Sequence, residues 1–435
     1  MSIEKLVVGP GRVETLTDEQ EKKLKQVWAY MLNFFGFKVV PPGVVRTASR
    51  RSTNASSIVS SDSKKKSGGF MGRFKRSSHK RSNSLEKLER VLSHHSTHSI
   101  DEESGFHYCF KGLDSKDMYE AFWTFLRHDT PDNLVLRFVR ARKWNVDKAM
   151  VMMTNTMKWR WYEGKPDKVL FESELGCKES GKDGVMYQLE VGKCVIHGHD
   201  LKGRPIANVR ARLHHSSDQT MDEVKIYTMM TIEYARLMLT EPVDTCDIVF
   251  NLSEMTMANM DYAAVSYMVK CFEAHYPESL GILFVHKAPW IFAGIWKIVR
   301  SWLDPVVASK IVFTNSTDDL AKYIDRKHIL KELGGDSDFE WNYLQPTKSK
   351  NGHVSDDEEA KEAIEEERKQ ILSKFIHKTI DWIETTDGTA SRALLDERIQ
   401  IGRELAENYK KLDGYIRNRS VYDRWGDVTF KLPTD

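Results

Sequence analysis

The sequence predicts an α/β fold, a largely parallel sheet covered by helices, and three observations lead there. Three short apolar runs, 247–252 (DIVFNL), 281–286 (GILFVH) and 310–313 (KIVF), do not alternate with polar residues. Strands of that kind belong to a sheet buried on both faces. The runs are separated by helical stretches, around 257–275 and over 289–303, and strand–helix–strand alternation calls for parallel neighbours. Upstream, 185–197 and 204–213 alternate or are β-rich, with DLKGRP (200–205) as the turn between them.

The chain has 435 residues, enough for more than one folding unit. Thr17 opens a helix with a capping box, Gln20 standing three residues on. Leu24, Val27, Trp28, Met31, Leu32 and Phe35 follow at helical spacing, and Gly36 ends the run. These residues form an N-terminal helix within 1–40. Pro41-Pro42-Gly43 begins a basic, Ser-rich linker over 41–104. Between Arg46 and Ser82 it carries eleven Lys/Arg and eleven Ser against one acid, Asp62, a composition that predicts disorder. Only 85–92 (LEKLERVL) reads as locally helical there. A helical subdomain is expected over 105–175, with turns at Thr130-Pro131-Asp132 and Lys143-Trp144-Asn145. The sheet unit follows over 176–336, with a long helix near 219–239. Two amphipathic helices, 356–384 and 391–412, make a C-terminal hairpin within 350–420. It is expected to pack on the sheet unit or on the N-terminal helices.

Segment 289–303, PWIFAGIWKIVRSWL, is apolar on nearly every face, with Lys297 and Arg300 on one side. It is shorter than the roughly 20 apolar residues a bilayer span requires. Such a helix is either core or a lid that meets something other than water, and on composition the two readings stand level.

Several functions lose support. The net charge of +2 does not point to nucleic acid. Five scattered cysteines without a CxxC pair suggest reduced thiols. The start lacks the pattern of a secretory signal, and any membrane contact is expected to be peripheral. The run 176–182 imitates a phosphate-binding loop, but Asp183 stands where a Ser or Thr should hold magnesium. His94, His95 and His98 have metal-like spacing in a Ser-rich tract, and no metal site is assigned to them. His214 and His215 cannot both face one site from a strand. No nucleophile elbow or zinc-protease helix occurs, so the chain is not read as an enzyme.

Five motifs in order, LRFVRARKWNVDKAM (136–150), KGRPI (202–206), HYPESLG (275–281), LDPVVASKIVF (303–313) and LGG (333–335), resemble the CRAL-TRIO lipid-binding family. Within it they resemble the fungal phosphatidylinositol-transfer subgroup. The resemblance covers 114–335, about half the chain. It implies a mixed, largely parallel sheet flooring a lipid cavity, with one phospholipid as ligand and no other cofactor. Pro289, Trp290, Phe292, Ile295, Trp296, Val299, Trp302 and Leu303 match the family's gating helix. Arg142, Glu278 and Lys310 match its phosphoinositide headgroup residues. Val307 stands where the family carries a hydroxyl, which removes one donor to the phosphate and opens a neutral hydrophobe as an alternative ligand. The implied partners are phosphatidylinositol and, transiently, a membrane surface, with the protein a cytoplasmic monomer at endomembranes. A membrane-recruited scaffold is the other alternative, motivated by the basic linker and the helical C-terminus. Seven residues, Met229, Met230, Met238, Phe250, Met255, Met257 and Met260, suit an adaptable cavity lining, or equally an ordinary core.

Overall fold

The computed structural model describes residues 8–39, 106–349, 354–428 and 430. The basic linker, the helical run at 85–92 and His94, His95 and His98 lie outside the described residues.

The first helix, α1 (Asp18–Phe34), is capped as its sequence requires. The Thr17 hydroxyl accepts from the Gln20 amide at 3.3 Å, and the Gln20 side chain accepts from the Thr17 amide at 3.1 Å. Thr17→Ala is expected to cost about 1 kcal/mol, read as a lower urea midpoint with an unchanged m-value. Helices α2 (Ser115–Leu126), α3 (Pro131–Ala141) and α4 (Val146–Lys158) gather around α1, burying Trp28, Phe122, Phe138 and Met157 in one core. Next come α5 (Pro166–Glu179), kinked at Ser173, and α6 (Asp183–Glu190).

Helix α6 corrects the expectation of a β-rich run beginning at 185. Val185, Met186 and Leu189 are buried on one helical face, and the amide of Gly184 donates to Glu223 at 2.8 Å. That bond comes from a residue 39 positions away, beyond the reach of local periodicity.

Among the described residues the sheet has five strands in chain order: β1 (Cys194–His199), β2 (Pro205–Arg210), β3 (Cys246–Asn251), β4 (Leu280–His286) and β5 (Ile311–Thr314). Only β1 and β2 are antiparallel, so the sheet is mixed and largely parallel, as expected. The parallel connections run through α7 (Met221–Leu237), α8 (Tyr262–Lys270), and the pair α9 (Phe292–Arg300) and α10 (Pro305–Ala308). A short α11 (Thr317–Ala321) follows β5.

Gly281 sits where no side chain fits. A Cβ there would lie 2.1 Å from Oδ1 of Asp247 and 2.8 Å from Arg204 Cδ. The close approach serves Asp247, which accepts from the Ile282 amide at 2.7 Å and pairs with Arg204 at 3.2 Å. Two of the motifs are thereby one structural joint.

The C-terminal hairpin, α12 (Glu358–Glu384) and α13 (Gly388–Ile416), packs on the N-terminal helices, and the segment after it reaches the sheet. Toward the N-terminal helices, fully buried Arg398 donates to Asp132 at 2.8 Å and lies 4.0 Å over the ring of Trp382. Asp132 also accepts from Trp28 at 2.7 Å. Toward the sheet, the terminal α14 (Val421–Trp425) sets the Tyr422 hydroxyl 3.0 Å from the Ile196 amide of β1.

Candidate functional site: an apolar cavity under a helical lid

Alternation along the strands gives the sheet two unlike faces. Ile206, Val249 and Phe284 point to one side and pack solidly with Leu320, Ile324 and Leu330. Ala207, Val209, Ile248, Phe250, Leu283 and Val285 point to the other and floor an apolar cavity. Helices α7 and α8 wall it with Thr231, Ile232, Ala235, Ala264, Met268 and Phe272. Its volume is about 250 Å³, set within about 1730 Å³ of unfilled space that includes its open mouth. Protein interiors are otherwise packed almost without voids, so this is a built feature.

The lid is α9. Phe292 and Ile295 are buried against the cavity, and Trp296, Val299 and Leu303 complete that face. Lys297, Ile298 and Arg300 face outward, and Trp290 is 88% exposed. The helix is shorter than the expected 289–303. Pro289 and Trp290 form the entering turn, in which the Phe292 amide donates to the Pro289 carbonyl at 2.9 Å. Trp302 lies in the leaving turn, where its amide donates to Val299 at 3.0 Å and its ring meets Tyr262 edge-on. Lys287, between β4 and the lid, has φ 51°, a left-handed conformation that is unusual for a side-chain-bearing residue.

The expected headgroup residues come together in part. Lys310 and Glu278 stand at the amino ends of β5 and β4, with Nζ 4.0 Å from the carboxylate. Lys310 also donates to the Leu280 carbonyl at 2.8 Å. Glu278 adopts φ 55°, and its carbonyl accepts from Arg137 at 3.0 Å. Arg142 ends α3, where its guanidinium donates to the Ala141 carbonyl at 3.4 Å. Its charge acts on Glu273, which accepts from the Asp304 amide at the foot of the lid at 2.6 Å. Burial raises the Glu273 pKa, and the Asp304 amide bond and Arg142 oppose the rise. Val307 is half-buried and packs among apolar neighbours.

In the sequence Arg137 and Arg140 share a basic run with Arg142 and Lys143, of a kind that is usually solvated. Arg137 is instead buried, donating to the Asp244 carbonyl at 2.7 Å, and Arg140 pairs with Asp244 at 3.5 Å. Among the seven residues offered as cavity lining, Phe250, Met255 and Met260 line it. Met229 and Met230 belong to solid core, Met238 packs beside that core, and Met257 is exposed.

Sequence reasoning also missed a polar end to the cavity, formed by Lys193, His214 and Asp261. Burial lowers the Lys193 ammonium to about 8, against the opposing pull of Asp218 and Asp261. His214 lines the cavity while His215 turns toward Asn259, so the two do diverge. Among the described residues, no group of His, Cys, Asp and Glu is arranged to hold a metal, and no helix is long and apolar enough to cross a membrane.

A greased cavity on a half-packed sheet, closed by a helix with an apolar inner face, defines a protein that shelters a hydrophobic molecule. Residues 189–335 match the CRAL/TRIO domain and 88–155 match the CRAL/TRIO N-terminal domain. The chain is 45% identical over 429 residues to the phosphatidylinositol transfer protein CSR1 of Eremothecium gossypii, covering 95% of this chain and 97% of that one. It is 37% identical over 426 residues to the CRAL-TRIO domain-containing protein C3H8.02 of Schizosaccharomyces pombe, covering 96% and 92%. The crystal structure of Sfh5 aligns with 48% of this chain and 73% of its own at 14% identity, with a TM-score of 0.39. The chain belongs to the CRAL/TRIO family.

Proposed function

We propose that this protein is a carrier, not an enzyme, that holds one phosphatidylinositol molecule in the cavity and exchanges it between membranes by moving α9. The observation that carries the reading is the unfilled apolar cavity whose outer wall is a separate helix. The relative named as a phosphatidylinositol transfer protein, matched over nearly its whole length, supports the choice of lipid.

The energetics suit exchange. Each buried methylene is worth about 0.8 kcal/mol, so two acyl chains gain more than about 20 kcal/mol over water. A bilayer offers the same gain, and transfer is close to neutral if the chains never cross open water. Trp290 and Ile298, with Lys297 and Arg300, give the outer face of the lid a mixed apolar and cationic character suited to an anionic bilayer surface. On this reading Lys310 pairs with the lipid phosphate, Glu278 accepts from inositol hydroxyls, and Arg142 acts at the foot of the lid. The protein works as a cytoplasmic monomer that touches endomembranes transiently.

Mass spectrometry of lipid extracted from the purified protein tests the reading, with phosphatidylinositol the expected species. Recovery of neutral hydrophobes alone would overturn the choice of lipid. Lys310→Ala is expected to slow phosphatidylinositol transfer between vesicles roughly tenfold, the worth of one charge-assisted contact. It should leave the capture of neutral lipids nearly unchanged; equal losses would remove Lys310 from the headgroup site.

A further inference from the structure

The sheet carries a polar group at each end, one of them lining the cavity, and the reading above uses only the other. We propose that the end built from Lys193, His214 and Asp261 binds the carboxylate of a long-chain fatty acid, whose tail then occupies the apolar space. The proposal rests on the carrier reading, because the tail needs the same cavity.

Topology separates the two ends. Lys193 precedes β1, and the antiparallel pairing sets it beside the carboxyl end of β2, where its carbonyl accepts from Arg210 at 2.8 Å. His214 follows β2, and Asp261 caps α8 after β3. All three therefore lie at the carboxyl ends of the parallel strands. Lys310 and Glu278 lie at the amino ends of β5 and β4. A strand of five or six residues is roughly 17–20 Å long, so one headgroup does not reach both ends.

The chemistry of the Lys193 end asks for a monoanion. Lys193 is 5% exposed, yet its Nζ meets only neutral acceptors: Gln219 Oε1 at 2.9 Å, Gln188 Oε1 at 3.4 Å and His214 Nδ1 at 3.3 Å. Accepting at Nδ1 leaves the His214 proton on Nε2, where it donates to Asp261 at 3.2 Å. The other Asp261 oxygen accepts from the amides of Ala263 and Ala264 at 3.0 and 3.1 Å. Asp261 is thus committed elsewhere, and Asp218 acts on Lys193 only at longer range. Arg210, at the same end, is already paired with Glu332 at 2.6 Å. Among the described residues Lys193 is a buried cation without a contacting counter-ion, an arrangement that costs free energy until an anion arrives.

A carboxylate meets that need by taking the place of the long bond to Gln188. It brings one negative charge to one cation and leads directly into a hydrocarbon tail. A phosphomonoester carries nearly two charges and would be left overcharged beside Asp218 and Asp261.

The test compares oleate with methyl oleate, each added as monomer to delipidated full-length protein, by displacement of a fluorescent fatty acid. The two tails are alike and only the charge differs. Oleate is expected to bind roughly ten- to a hundredfold tighter, the worth of a buried charge-assisted hydrogen bond. Lys193→Met should erase that preference, and Lys310→Ala should keep it. Equal affinity for acid and ester in the wild-type protein overturns the proposal without recourse to any variant. So does a preference that survives in a folded Lys193→Met protein. Phosphatidylinositol binding without acid preference sinks this proposal alone, whereas failure to bind phosphatidylinositol, acid and ester alike sinks the carrier reading with it.

Discussion

Glu233→Ala is expected to destabilise the protein by about 3–5 kcal/mol, the cost of removing one partner from a buried ionic network. Glu233, in α7, is fully enclosed and holds three guanidinium groups: Arg160 at 2.9 Å, Arg236 at 3.0 Å and Arg127 at 3.5 Å. The hydroxyl of Tyr276 donates to it at 2.7 Å. Asp167 offsets part of the charge by pairing with Arg160 and Arg127. Without Glu233, Arg236 would keep the Phe125 carbonyl at 2.8 Å but, among the described residues, no carboxylate nearer than Asp129 at 3.9 Å, and a buried excess of positive charge would remain. Glu233→Gln should fare little better, because it keeps the shape and loses the charge. Burial on its own would raise the Glu233 pKa, but Arg160, then Arg236 and Arg127, outweigh it and hold the group well below the usual carboxylate range. The sign follows from that depression. The contribution is complete above the unfolded value near 4.3 and is lost as pH falls toward the folded one. The penalty of the alanine variant should therefore be constant from pH 6 to 8 and shrink in strong acid. A variant whose urea midpoint matches wild type at pH 7 would show the network to be inert.

Ala264→Trp is expected to abolish lipid loading and slow vesicle transfer at least roughly tenfold while leaving the fold intact. Ala264 is half-buried on α8 and faces the cavity. An indole buries about 150–250 Å² and needs only the space the tails would use. It displaces no core residue, so the thermal midpoint should hold or rise, as it does when a void is filled. The paired readout matters: transfer at the wild-type rate, with the indole shown to be buried by its fluorescence, would mean that the cavity is not the cargo site.

Much of the fold was legible because local and global preferences agree. The capping box at Thr17, the unbroken apolar character of β3 and β4, and the amphipathic C-terminal helices each point to the element observed. Helix α6 misled because eight residues barely exceed two turns, and its stability comes from tertiary contacts such as that between Gly184 and Glu223. The nearness of Lys310 and Glu278 was legible through motifs on neighbouring strands. The Arg137, Arg140 and Arg142 run was not, since spacing shows which residues share a face but not which face is buried. Arg137 and Arg140 turn toward Asp244, while Arg142 ends the helix and its charge acts on Glu273. Lys193, His214 and Asp261 left no signal at all. They are 21 and 47 residues apart, and strand pairing alone brings them together.

The void above the sheet has a consequence for traffic. An unfilled apolar cavity leaves its lining without packing partners and keeps apolar wall against water, so the closed protein is less stable empty than loaded. A molecule that has surrendered its passenger is therefore poorly suited to leave the bilayer vacant. Departure with a replacement aboard is favoured, so each docking event should end in a swap, and the net flow of any one lipid should follow the difference in composition between the membranes visited.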